Sequence, residues 1–141
     1  MPLRQFDWYY LGNNFREIFM LESLPLSTIA AMLDTLPVDL TFMDEKDRIV
    51  WFSGHRIFNR PAEIIGRDVR LCHKESSRPA IDKMIADFKS GASDLVEHFT
   101  DKSDGRKIRI RYMAVRDALG DYLGMVEMAD DITSVRPSEP V

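Results

Sequence analysis

The spacing of apolar residues changes period several times along the chain, and each change marks an element. Leu26, Ile29, Ala30 and Leu33 recur at three- and four-residue intervals, which predicts an amphipathic helix. Pro37 stops it, because the residue before a proline is pushed out of the α region. Upstream, Asn14 precedes Glu17 by three residues in the manner of a capping box, and Phe15, Ile18 and Phe19 share a face. Residues 1–35 therefore read as a helical extension divided at Pro25. After Pro37 the period falls to two. Val38, Leu40 and Phe42 alternate with Asp39 and Thr41, "DEKD" makes a turn, and "RIVWFS" follows as the second strand of a hairpin.

Gly54, Pro61 and Gly66 break the pattern through Ser76, leaving room only for short helical turns. "SRPAIDKMIADFKSG" then restores the helical period. Ser77 is in the cap position, Pro79 is in the first turn, Ile81, Met84, Ile85 and Phe88 form the apolar face, and Gly91 ends it. Three strands close the chain: "DLVEHFT", "KIRIRYMAV" and "YLGMVEMA". In the middle one Ile108, Ile110, Tyr112 and Ala114 alternate with Lys107, Arg109, Arg111 and Met113, so the first set is expected to face the helices. The order predicts an α+β fold, a five-stranded antiparallel sheet with helices on one face. Its outer face is expected to carry Val50, Phe52, Met113 and Val126. The predicted organisation is an extension over 1–35, one domain over 36–133 and a flexible polar tail over 134–141.

Composition narrows the partners. The 141 residues carry a formal net charge of -4, which gives no electrostatic reason to expect nucleic acid or an anionic membrane. One cysteine cannot make an internal disulfide. No apolar run approaches a membrane span, and Asp7 and the aromatics interrupt any signal-peptide core, so a cytoplasmic protein is expected.

The motifs "LPVDLTFMDEKDRIVWFS", "EIIGRDV" and "GDYLGMVEMADDIT", in this order and spacing, resemble a PAS domain over about residues 36 to 133. With "CHKESS" and "IRYMAVRDALGDYLG" they are most similar to the PAS domain at the C-terminal end of some bacterial hemerythrin-type proteins. No histidine precedes His55, so no hemerythrin-like iron site lies before this domain in the sequence. The resemblance implies a sensory and dimerisation module. It implies a space between helices and sheet that holds haem, flavin, an organic acid or nothing.

The residues decide what they can among these. The expected pocket lining is Leu40, Phe42, Trp51, Ile64, Cys72, His73, Ile81, Met84, Ile85, Phe88, Ile108, Ile110 and Tyr112, either around a cavity or filling it. Light-sensing relatives place a reactive cysteine where this chain has Val69, with Cys72 three residues later, which argues against cysteine-adduct flavin chemistry. Haem is the alternative, with His73 as axial ligand, Met84 nearby and Arg109 or Arg111 for the propionates. Adjacent Cys72 and His73 lack a second ligand pair, so no metal site is assigned. No glycine-rich phosphate loop or recognisable nucleophile–base spacing supports an enzyme. The aromatics of the extension, among them Trp8, Tyr9, Tyr10 and Phe15, exceed what one helix buries on its own domain. They predict a homodimer through the N-terminal helices.

Overall fold

The computed structural model describes residues 21–136, in two compact units divided between Thr35 and Leu36. The expectations for Asn14, Glu17 and the aromatic cluster, and for the end of the tail, lie outside the described residues. Of the first unit the structure describes a short 3-10 turn and helix α1 (Leu26–Thr35), none of whose residues is buried.

The second unit is a five-stranded antiparallel sheet in the order β2-β1-β5-β4-β3: β1 (Asp39–Asp44), β2 (Ile49–Phe52), β3 (Leu95–Asp101), β4 (Lys107–Arg116) and β5 (Tyr122–Asp131). The chain leaves β2, makes three 3-10 turns over 62–77, and enters helix α2 (Arg78–Ser90) before returning as β3. Ser77 makes no side-chain cap on α2, contrary to expectation. The turn before it already gives Ser77 helical angles, so the cap geometry cannot form. Gly91 takes the left-handed conformation that ends α2. Arg116 from β4 donates to the carbonyl of Phe88, supplying a partner for the helix end.

Directly paired residues on antiparallel strands share a face, so the registers define which side chains meet α2. Ile110 pairs with Ala129, Tyr112 with Glu127, and Glu127 with Thr41. This inner face carries Asp39, Thr41, Met43, Ile49, Ile108, Ile110 and Met125, all buried. Ile81, Met84, Ile85 and Phe88 of α2 pack against Met43, Ile49, Ile64, Val69 and Met125. Each such side chain contributes about 1.5–3 kcal/mol by leaving water. Arg109 lies on the other face, donating through Nε and Nη2 to Asp130.

The first hairpin is the opposite way round from the sequence expectation. Leu40 pairs with Met128, and Phe42 pairs with both Val126 and Trp51, so all three expected pocket residues of this hairpin lie on the outer face. Phe52, expected outside, packs against the inner core. The reason is electrostatic. Asp39 is 2% exposed yet fully paired: Arg56 contacts it at 2.6 Å, and its Oδ2 accepts from the backbone N–H of Ile57 and Phe58. A charged side chain with that many partners takes an inner position that hydrophobicity alone would assign to Leu40.

Gly124 of β5 has φ +148°, and a Cβ there would lie 2.1 Å from the carbonyl oxygen of Met43. Gly120 has φ +88° but open space around it. Gly124→Ala is therefore expected to lower stability by about 3 kcal/mol or more, and Gly120→Ala by about 1–2 kcal/mol. Chemical denaturation of the two variants measures the difference; equal losses would mean that β1 and β5 approach less closely than described.

Candidate functional site

The helix α2 covers the sheet unevenly. Its apolar face lies on the β1–β5 side of the core, and β3 is an edge strand beyond its reach. The inner residues of β3, Val96 and His98, remain exposed. Between α2 and the β3–β4 pair this leaves a cleft of about 720 Å³. Its apolar walls are Phe58, Ile81, Met84, Val96 and Ile110. Its polar lining is His73, Lys74, Ser77, Glu97, His98, Thr100 and Tyr112. The cleft is open to solvent, and most of its lining area is apolar.

A second, smaller cleft of about 320 Å³ is lined by Arg60, Ile64, Arg67, Leu71 and Cys72, and Phe58 lines both. Phe58 is held in place from three sides. Its N–H donates to Asp39, its ring carries the Lys102 ammonium at 5.1 Å, and that ammonium donates to the Ile57 carbonyl.

Arg60, which lines the second cleft, belongs to a buried ionic group. Glu127 of β5 is 3% exposed and accepts from Arg60 at 3.1 Å. Arg56 pairs with Asp39, and its guanidinium stacks on the Phe52 ring at 4.8 Å. Burial first, and then the neighbouring Glu127 carboxylate, push the Tyr112 hydroxyl well above the usual phenol range, so it stays protonated and able to donate. His73 is shifted downward, mainly by burial, with Arg60 adding to the shift and Glu127 opposing it. Its imidazole is neutral at pH 7.

Of the expected lining residues, His73, Ile81, Met84, Ile110 and Tyr112 border the main cleft, and Ile64 and Cys72 border the second. Ile85, Phe88 and Ile108 are packed into the core instead. Leu40, Phe42 and Trp51 face the other side of the sheet, and Arg109, proposed for propionates, is there too. Arg111 pairs with Met128 on that same outer face. Sequence reasoning missed Phe58, Arg60, Val96 and Glu127. Arg60 and Phe58 fall in an aperiodic stretch, while Glu127 left one trace, a lone carboxylate within the apolar run "MVEMA". Among the described residues no three His, Cys, Asp or Glu side chains are grouped to hold a metal ion. No described helix is long and apolar enough to cross a membrane.

The fold agrees with the comparison to known families. The PAS domain model matches residues 29–133. The chain belongs to the PAS domain family. Among solved structures, it is similar to the C-terminal domain of a protein from Streptococcus mutans, with 27% identity, a TM-score of 0.73 and coverage of 77% of this chain and 86% of that one. The PAS domain of a protein from Colwellia psychrerythraea shares the fold at 18% identity, TM-score 0.57, covering 77% of this chain and 97% of that one. The PAS domain of BvgS from Bordetella pertussis does so at 14% identity, TM-score 0.58, covering 78% and 88%. No curated protein matches the chain.

The lowered His73 gives this PAS domain a signature in pH. The unfolded chain takes up the His73 proton first, near its ordinary value of 6.5. The stabilisation from keeping it neutral is therefore complete above about pH 6.5 and is lost as pH falls through the folded value. The melting temperature should decline below pH 6.5 in the parent and decline less in His73→Gln. Parallel curves for the two proteins would show that His73 is not held neutral by burial.

Proposed function

We propose that this chain is a sensory and interaction module without catalysis of its own, and that it takes up a small molecule in the cleft beneath α2. The observation that carries the proposal is the cleft itself, about 720 Å³ bounded by Ile81, Met84, Ile110 and Tyr112, beside a well-packed core. A molecule there touches both the helix and the central strands, and can bias how tightly α2 lies on the sheet. PAS domains are in general sensory modules, which supports this reading over an enzymatic one. The motifs around "CHKESS" support kinship with PAS domains of hemerythrin-type proteins. The modest net charge gives no electrostatic reason for a nucleic-acid or membrane partner, and the setting proposed is the cytoplasm.

We also propose a homodimer through the N-terminal helices. Support comes from the aromatic content of residues 1–20 in the sequence and from the exposure of Leu26 and Met32 on α1. Haem is the second reading, because His73 lines the cleft as a neutral imidazole and would serve as axial ligand. Lys74 is the basic residue beside it for a propionate, in place of Arg109.

Three measurements on the purified intact chain test these statements. Native mass spectrometry should find a small organic molecule retained at one per chain, or uptake of one from an apolar metabolite extract. Empty spectra under both conditions would overturn the ligand proposal. Addition of haemin should give no stoichiometric Soret band; a band lost in His73→Ala would replace the first reading with the second. Sedimentation at micromolar concentration should give twice the 16.3 kDa chain mass, and a monomer would refute the dimer.

A further inference from the structure

The two edges of the sheet are not alike. Beside β2, Ile49 donates to the carbonyl of Arg67 and accepts from the N–H of Gly66, and Arg48 bridges Asp68, so this segment closes that edge. β3 is the other edge, and no strand or bridge among the described residues pairs with its free side. It pairs with β4 over all seven of its residues without a bulge. At the two ends of this ladder Ala114 donates to the carbonyl of Asp94, and Lys102 to that of Arg106. Bonded pairs alternate along an antiparallel ladder, so Val96, His98 and Thr100 bond β4, while Leu95, Glu97, Phe99 and Asp101 turn their N–H and C=O groups outward. The Ser93 hydroxyl takes up both groups of Leu95. Glu97, Phe99 and Asp101 keep an open row of donors and acceptors. Sheets commonly protect a free edge with a lysine, a proline or a bulge, and β3 has none of these.

The side chains on this edge state what would pair with it. Leu95, Glu97, Phe99 and Asp101 stand on the outer face, opposite Met113, Arg111, Arg109 and Lys107 of β4. Leu95 is 53% exposed and Phe99 58% exposed. Glu97 and Asp101 are exposed too, and Arg109, which lies between them on β4, is engaged by Asp130. Neighbouring strands are about 4.8 Å apart, so a cation on an added strand would meet these carboxylates at about that spacing and Arg111 and Lys107 at about twice it. Attraction to the nearer acids outweighs repulsion from the farther cations. An apolar residue between two such cations would cover Phe99. On the inner face the added strand would lie beside Val96, His98 and Thr100, where β-branched residues pair well.

We propose that β3 is the docking edge for an extended segment of a partner protein, which joins the sheet as an antiparallel sixth strand with a Lys or Arg opposite Glu97 and Asp101 and an apolar residue opposite Phe99. Main-chain bonds to Glu97, Phe99 and Asp101 hold the segment, and the two carboxylates and the Phe99 ring select it. The proposal does not depend on whether the cleft holds a ligand.

The probe is the peptide acetyl-Ser-Arg-Thr-Val-Thr-Arg-Thr-Val-Ser-amide, titrated into the intact chain at low salt and followed by amide hydrogen exchange and nuclear magnetic resonance. Antiparallel alignment sets its two Arg opposite Asp101 and Glu97, and its two Val opposite Phe99 and Leu95. With free peptide at about ten times Kd, exchange at the amides of Glu97, Phe99 and Asp101 should slow about tenfold, and less at Val96 and His98, which already bond β4. The peptide with Glu in place of Arg should bind about tenfold more weakly. The Arg peptide N-methylated at its Arg and Val amides should not bind. In the double variant Glu97→Gln with Asp101→Asn, which leaves the backbone edge intact, the preference for Arg over Glu should vanish while the slowed exchange remains. Equal binding of the two peptides by the parent, or a preference that survives in the double variant, would overturn the charge assignment. Binding of the N-methylated peptide would overturn strand addition. Unchanged exchange at the three amides in millimolar Arg peptide would overturn the docking edge itself. Protection of those amides before any peptide is added would mean that a second copy or a terminal segment already holds the edge, and would overturn the assignment to a partner protein.

Discussion

The carboxylate of Asp39 organises the inner surface of this PAS domain. It stands at the start of β1, buried, and reaches three groups of the segment after β2: the Arg56 guanidinium and the N–H groups of Ile57 and Phe58. Removing one partner of such a buried pair typically costs about 3–5 kcal/mol, because the remaining charge has nowhere to go. The same three contacts orient the chain so that Phe58 and Arg60 point back under α2. Ser53 reinforces the link, accepting from the N–H of Leu40 and donating to the carbonyls of Val38 and His55. A segment with no regular secondary structure is thereby tied to the start of β1.

The helix is placed by a different set of forces. Phe88, Ile85, Met84 and Ile81 bury apolar area against Met43, Ile49 and Met125, and ion pairs from Lys89 and Arg70 to Asp47 tie the helix side to the first hairpin turn. Both anchors lie towards β1 and β2. On the side of α2 that faces β3, Arg116 of β4 bonds the Phe88 carbonyl at the helix end, and along the rest of that side the cleft opens.

Much of this was legible in the sequence. The alternation of Ile108 and Ile110 with Lys107 and Arg109 identified the inner face of β4, and the spacing of Ile81, Met84, Ile85 and Phe88 identified the buried stripe of α2. The first hairpin misled because hydrophobic alternation assumes that charge belongs outside. Asp39 is inside because partners more than fifteen residues away satisfy it, and no local pattern carries that information. The candidate site was half legible for the same reason. Its apolar wall has a period, while Phe58, Arg60 and Glu127 come together only through the crossover between β2 and α2. His73 was singled out for its chemistry, and its neutrality follows from burial.

The central claim is that the space between α2 and the β3–β4 pair receives a ligand. Methyl-resolved nuclear magnetic resonance during titration with indole tests it directly. The account predicts saturable shifts at the methyls of Ile81, Met84 and Ile110, which line the cleft, with little change at Leu123 and Val50, which do not line it. Shifts spread over the whole surface, or none at the three cleft methyls, would contradict it.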